Sequence, residues 1–135
     1  MTAGKYDITI EQGATFTLAV TWKDSDGDPF LMRDVSEGRT VRMKIKDGIG
    51  GEEIDSFTGV YNGDVVNFPS DSIIRLYGDS QNTNPSPNIE VVVHPSTTDT
   101  YDFDDGVYDI ESENSSGDVQ RVVEGRVKLK LSVTR

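Results

Sequence analysis

The sequence predicts an all-β fold, a single antiparallel β-sandwich with at most one short helical turn, on three observations. Apolar and polar residues alternate over several short runs; in the last of them Val127, Leu129, Leu131 and Val133 alternate with Arg126, Lys128, Lys130 and Ser132. Strand side chains point to opposite faces in turn, so such a run has one buried and one wet face. Clusters of Gly, Pro, Asn, Asp and Ser punctuate these runs at frequent intervals, as turns do between hairpin strands. No stretch carries a long helical period, and many short strands of this kind pack as two sheets face to face.

The elements follow in chain order. Residues 5–11 read as a first strand, with Tyr6, Ile8 and Ile10 on one face. Gln12, Gly13 and Ala14 break it, and a second strand follows in which Phe16, Leu18, Val20 and Trp22 alternate with Thr15, Thr17, Ala19 and Thr21. Its β-branched and aromatic residues suit a pleated, half-buried surface, and the two strands read as a first hairpin. Trp22 is expected at the edge of the core with its indole N–H bonded to a partner. After the turn at 24–29, Phe30 and Leu31 are expected to plug back into the core, and 33–39 reads as polar loop. Val41, Met43 and Ile45 then alternate with Arg42, Lys44 and Lys46.

Residues 47–51 form a flexible connection. Residues 54–57, 60–61 and 65–68 read as short strands around Asn62-Gly63, a dipeptide that tolerates the positive φ of a tight hairpin turn. Residues 73–77 are apolar and of open type. Residues 79–88 are loop with two prolines, and Ile89, Val91 and Val93 restart a strand. One helical turn is expected within 96–103, capped by Ser96. The final run, 106–133, is a hairpin around residues 114–118, in which Gly125 marks a bulge or a close approach.

A chain of 135 residues is one domain, residues 1–135, able to bury on the order of two-thirds of its unfolded surface. No apolar run approaches the roughly 20 residues of a membrane helix. The N-terminus lacks the apolar core of a secretory signal. The absence of cysteine excludes thiolate catalysis, disulfides and a cysteine zinc site. Synthesis in a reducing cytoplasm is therefore expected. The 13 Lys and Arg stand against 24 Asp and Glu, a net charge of −11. That balance argues against nucleic acid and against an anionic membrane as partners.

Asp24, Asp26 and Asp28 resemble the start of a calcium loop, where several carboxylates converge from a sharply turned backbone. The glycine, however, is Gly27, ahead of the third acid, and Val35 stands where a bidentate glutamate belongs. A solvated turn is the expectation. Asp99, Asp102, Asp104 and Asp105 offer paired carboxylates, which serve as acid and base only if burial splits their pKa values; Asp-Asp-Gly is ordinary turn chemistry. His94 is the one histidine and has no nucleophile elbow near it. Gly48, Gly50 and Gly51 are followed by Glu52 and Glu53, which would repel phosphate. No catalytic, cofactor-binding or metal-ligating residues are expected.

The basic strand faces differ. Arg42, Lys44, Lys46, Arg126, Lys128 and Lys130 supply six of the 13 cations, all on wet faces. Cross-strand pairing with Asp109 or Glu111 accounts for some of them. The rest are candidates to dock an acidic surface of another subunit or a neighbouring protein, with charge setting register more than affinity.

Two sequence blocks resemble a family of bacteriophage β-sandwich proteins found in tail-fibre connectors, collars and related neck or tail parts. The first is Tyr6-Asp-Ile-Thr-Ile-Glu-Gln-Gly-Ala-Thr-Phe16, continuing through Val20-Thr-Trp-Lys-Asp24 and Asp26-Gly-Asp-Pro29. The second is Gly106-Val-Tyr-Asp-Ile-Glu111, with Val119-Gln-Arg-Val-Val-Glu-Gly125 and Val133-Thr-Arg135. Together they cover both ends and less than half of the chain. The resemblance implies an immunoglobulin-like virion structural protein, not an enzyme, without cofactors. Its implied partners are other virion proteins and copies of itself, assembled either as a symmetric ring, which would use heterologous interfaces, or as a connector between larger parts. Phe30, Tyr61, Tyr77 and Tyr101 are candidate contact aromatics. The alternative is a glycan-binding β-sandwich module or a decoration protein on the virion, with Tyr77 or Tyr101 as the platform.

Overall fold

The C-terminal hairpin is the centre of the molecule. A computed structural model describes residues 4–34, 37–48, 50–60, 73–78, 83–114 and 116–131. The elements are β1 (Gly4–Lys5), β2 (Ile8–Glu11), β3 (Phe16–Val20), β4 (Arg33–Asp34), β5 (Glu37–Gly38), β6 (Thr40–Lys46), β7 (Glu53–Val60), β8 (Ile73–Leu76), β9 (Ile89–Val93), α1 (Pro95–Thr98), β10 (Asp105–Glu113) and β11 (Val119–Lys130). β10 and β11 pair antiparallel from Asp105↔Lys128 to Glu113↔Val119. The Asn114 carboxamide oxygen closes their turn, accepting from the Ser116 and Asp118 N–H groups at 3.0 Å each.

A six-stranded sheet grows from this hairpin. β6 pairs with β10, and β7 with β6, both antiparallel. β1 and β2 lie along the other side of β11 and run parallel to it, so the sheet is mixed rather than purely antiparallel as expected. A second sheet has the order β3-β9-β8, and β4 and β5 form a two-stranded ribbon. The fold is therefore all-β, with α1 as its one helix among the described residues. No helix among them is long and apolar enough to cross a membrane.

One hydrophobic cluster joins the two larger sheets. Ile10, Val41, Met43, Ile45, Ile110 and Val127 come from the six-stranded sheet, and Leu18, Ile74, Leu76, Ile89, Val91 and Val93 from the three-stranded one. Burying a side chain of this size is worth about 1.5–3 kcal/mol relative to leaving it exposed. Gly59 in β7 lets the sheets meet closely, since a Cβ there would strike the backbone and side chain of Ile74.

Several expectations are corrected. The first hairpin does not form: β2 pairs with β11, and β3 with β9. Between them the Ala14 carbonyl accepts from the Thr98 hydroxyl at 2.8 Å, and the Gln12 carboxamide donates to the Tyr101 carbonyl at 3.1 Å. The chain thus crosses from one sheet to the other beside α1. Tyr6 leaves the core face and is 59% exposed, because the ladder pauses between β1 and β2. There the Tyr6 carbonyl accepts the Tyr108 hydroxyl and the Asp7 carboxylate accepts the Arg126 N–H at 2.9 Å.

Phe30 packs against the core as expected, partly buried, while Leu31 is only half-buried and Met32 beside it is the fully buried plug. The polar loop at 33–39 contains the β4–β5 ribbon. The cap of α1 is His94, whose Nδ1 accepts from the Ser96 N–H at 3.3 Å. Leu131 is 60% exposed rather than core. The expected Asn62-Gly63 turn, the strand at 65–68 and Val133 lie outside the described residues.

Candidate functional site

The register of three strands builds the outer face of the large sheet. In β6, Val41, Met43 and Ile45 turn inward, which leaves Arg42, Lys44 and Lys46 outward. In β10, Tyr108, Ile110 and Ser112 turn inward, and Val107, Asp109 and Glu111 outward. Pairing across β6, β10 and β11 then stacks three rows: Lys46-Val107-Arg126, Lys44-Asp109-Glu124 and Arg42-Glu111-Arg121. These rows line an open groove of about 740 Å³.

Arg121 reaches this face through a β-bulge. Strict alternation from Arg126 backward would turn Arg121 inward. The register instead shifts between Ile110 and Glu111, with Ile110 opposite Val123 and Glu111 opposite Arg121. Val122 is the extra residue, and both it and Val123 are buried. A bulge bends the strand and re-aims the side chains beyond it. The adjacent valines Val122 and Val123 in an otherwise alternating run are the sequence signal for it.

Arg121 then gathers three acids: Asp109 at 3.4 Å, Glu111 at 3.7 Å and Glu124 at 3.5 Å. Burial raises the Asp109 carboxyl above the usual aspartate value, and the charge of Glu111 adds to the rise, against the lowering pull of Arg121. Arg42 pairs with Glu113 at 3.1 Å and Lys44 with Glu53 at 3.9 Å. Cross-strand pairing therefore occurs, although Asp109 and Glu111 take Arg121 and not the cations expected. Such exposed pairs contribute about 0.2–1 kcal/mol each.

The six cations named from sequence divide. Arg42, Lys44, Lys46 and Arg126 share the groove, whereas Lys128 and Lys130 do not line it. Lys128 stands opposite Asp105 and Thr9, and Lys130 pairs with Glu11 at 3.7 Å. Lys5 and Arg121 complete the cationic lining, against Asp7, Asp109, Glu111 and Glu124. Six cations and four carboxylates line the groove, and Glu113 and Glu53, paired with Arg42 and Lys44, balance the remaining two charges. Among the described residues Lys5, Lys46 and Arg126 form no direct ion pair.

The other sequence candidates resolve into turn and core chemistry. One Asp24 carboxylate oxygen accepts from the Asp26 and Asp28 N–H groups at 2.9 and 3.0 Å, which fixes the turn. The Asp47 carboxylate accepts from the Glu52 N–H at 3.1 Å and closes the glycine connection. Asp99 is the C-cap of α1, and the backbone carbonyl of Asp104 accepts from the Leu129 N–H.

Of the contact aromatics, Tyr101 is buried and its hydroxyl donates to Asp55 at 2.7 Å. Phe30 stacks on the buried Trp22 with centroids 3.9 Å apart, and the Arg39 guanidinium lies 5.3 Å from each ring. Tyr77 borders a shallow depression with Pro85, Pro87 and Glu90, and its hydroxyl donates to Glu90 at 3.0 Å. Tyr61 lies outside the described residues.

Asn88 was not foreseen. It is fully buried; its carboxamide donates to the Trp22 and Phe30 carbonyls at 2.7 and 3.0 Å and accepts from the Trp22 N–H at 2.8 Å. No family model matches this chain, and a search of curated proteins finds no match.

Proposed function

We propose that this protein is a structural subunit of a bacteriophage particle, an immunoglobulin-like β-sandwich that joins neck, collar, tail or tail-fibre parts by protein–protein contact. The observation that carries this reading is the groove on the large sheet. It holds three cations, Lys5, Lys46 and Arg126, that form no ion pair among the described residues, mounted on paired strands of a strongly acidic chain. Such a surface selects an acidic protein partner and fixes its register.

Strand order supports the immunoglobulin-like part of the proposal. β11-β10-β6-β7 follows the order G-F-C-C′ of a variable-type domain, and β3-β9-β8 the order B-E-D. The two blocks that resemble phage proteins also meet in space, since the Tyr6 N–H donates to the Glu124 carbonyl at 2.9 Å and the Tyr6 carbonyl accepts the Tyr108 hydroxyl. Residues from opposite ends of the chain thus form one structural unit. The virion is the proposed location, with other virion proteins and copies of the chain as partners.

The test is incorporation. K46E/R126E reverses two groove charges on exposed or half-buried positions. Mass spectrometry of particles purified from the encoding phage should find the wild-type chain and not the variant. Equal incorporation of both, or absence of the wild-type chain from particles, would overturn the proposal. The glycan-binding alternative draws on the depression beside Tyr77. Binding of the isolated protein to a glycan array, lost in Tyr77→Ala, would replace the connector reading.

A further inference from the structure

We infer that the free edge of β3 is a docking site for an extended segment of a different protein, which pairs with it as an added strand of the small sheet. That segment is neutral or basic and apolar at every second residue. The inference goes beyond the groove reading, since β3 lies in the small sheet and the groove on the outer face of the large one. β3 ends the order β3-β9-β8, and β9 is its one strand neighbour among the described residues. The first hairpin expected from sequence would have filled its other side with β2. β2 pairs with β11 instead, which leaves that side of β3 open to a partner.

The backbone on this side is aimed outward. The Val20 carbonyl accepts from the Asn88 N–H at 3.1 Å, and the Trp22 N–H donates to the Asn88 carboxamide oxygen at 2.8 Å. Even-numbered residues here thus turn their backbone groups toward the β9 side. Peptide groups along a strand point alternately to its two sides, so Thr17, Ala19 and Thr21 present theirs to the open side. Thr17 and Ala19 are exposed and Thr21 is half-buried. On the inner face Leu18 is buried, whereas Phe16 and Val20 to either side of it are only partly so. An incoming strand extends the ladder with main-chain bonds, and its inward side chains cover Phe16 and Val20.

This edge carries none of the usual guards. Proteins blunt open sheet edges with charge, proline, bulges or very short strands. β1 is two residues long and contains Lys5, β2 ends in Glu11, β7 carries Glu53 and Asp55, and β8 carries Arg75. By contrast Thr15-Phe-Thr-Leu-Ala-Val-Thr21 holds no charge and no proline. Its register with β9 runs unbroken from Phe16↔Val93 to Val20↔Ile89. An uncharged edge rich in β-branched residues is a template for strand addition.

Charge selects a foreign strand over a second copy. Each copy carries a net −11, and like net charge keeps chains apart. An edge without charged side chains offers nothing to offset that repulsion. The Asp24–Asp28 turn follows at the C-terminal end of the edge, where Asp26 and Asp28 are exposed and form no ion pair among the described residues. A lysine or arginine at the end of the incoming strand meets them there and fixes its register.

Amide hydrogen exchange read by NMR on the full chain tests this, with a synthetic peptide of about nine residues that alternates valine and threonine between terminal lysines. In the free chain the Thr17, Ala19 and Thr21 amides should exchange fast, and those of Phe16, Leu18 and Val20 slowly. The peptide should slow Thr17, Ala19 and Thr21 by about tenfold or more and leave the amides of β2 and β7 unchanged. Ala19→Pro removes an outward N–H and no bond to β9, a change that edge strands tolerate. It should unfold near the wild-type urea midpoint and bind the peptide about tenfold more weakly or worse. Thr17→Lys places a guard charge on the same edge and should also weaken binding, so it decides the matter even if the proline variant folds poorly. A peptide that leaves the three amides unchanged, or that binds both variants as it binds wild type, overturns the inference. Protection of these amides that rises with protein concentration alone also overturns it, since the occupant is then a second copy. None of these results bears on the groove, whose test is incorporation of K46E/R126E.

Discussion

Gly125 sits where β1, β2, β10 and β11 meet, and replacing it with alanine tests the architecture most sharply. It pairs with Tyr108 in the middle of the hairpin. A Cβ built on it would strike the Tyr6 carbonyl and come within 3.1 Å of the Asp7 carboxylate. That carbonyl accepts the Tyr108 hydroxyl, and the Tyr6 N–H donates to the Glu124 carbonyl at 2.9 Å. Gly125→Ala must therefore push the β1–β2 segment off the edge of the sheet. Stranding the Tyr108 hydroxyl costs about 1–3 kcal/mol and losing the backbone bond about 0.5–1.5 kcal/mol. Replacing a strand glycine with alanine returns about 0.5–1 kcal/mol.

The expected net loss is about 2 kcal/mol, read as a lower urea midpoint at unchanged slope. Gly48→Ala is the control, since an added Cβ there meets nothing within 4 Å, and it should change stability by less than about 0.5 kcal/mol. Tyr108→Phe removes the same hydrogen bond from the other side. The double variant should therefore lose less than the sum of the singles, by about 1 kcal/mol. Gly125→Ala matching the Gly48→Ala control, or strict additivity with Tyr108→Phe, would refute the close-approach account.

Asn88→Ala leaves the Trp22 N–H and the Trp22 and Phe30 carbonyls without their carboxamide partner, and should cost about 3–5 kcal/mol; a loss under about 1 kcal/mol in urea unfolding rules out the clamp. Carbon-detected NMR titration should find Asp109 protonated to higher pH than an ordinary aspartate, and Arg121→Gln should move its midpoint further up. The folded-state value lies above the unfolded one, so this carboxyl's contribution to stability is full below the ordinary aspartate range and is lost as pH rises through the folded value. A midpoint that stays put or falls in Arg121→Gln would show that the guanidinium does not govern it.

The strands were legible where one face alone is buried. Residues 40–46, 89–93 and 105–113 carry the period of two in side chains whose burial follows it. The turn chemistry of Asp24 and Asn114 was also readable, because a short acceptor side chain bonds to backbone within a few residues. Arg121 was not, because a bulge reverses the alternation that the rest of β11 obeys. Asn88 was not, because its three partners lie more than 50 residues away in sequence.

Alternation in the sequence determined an all-β chain and which side chains stay wet, including four of the cations that line the groove. It did not determine which strands are neighbours. Ile8 and Ile10 bury equally well whether β2 folds back on β3 or lies parallel to β11, since either arrangement points them at the same core. Only the tertiary structure chose, through long-range bonds: Thr98 and Tyr101 hold the crossover at Gln12 and Ala14, and Glu124 and Tyr108 hold Tyr6. That choice sets Lys5 and Asp7 beside Arg126 and so completes one wall of the groove.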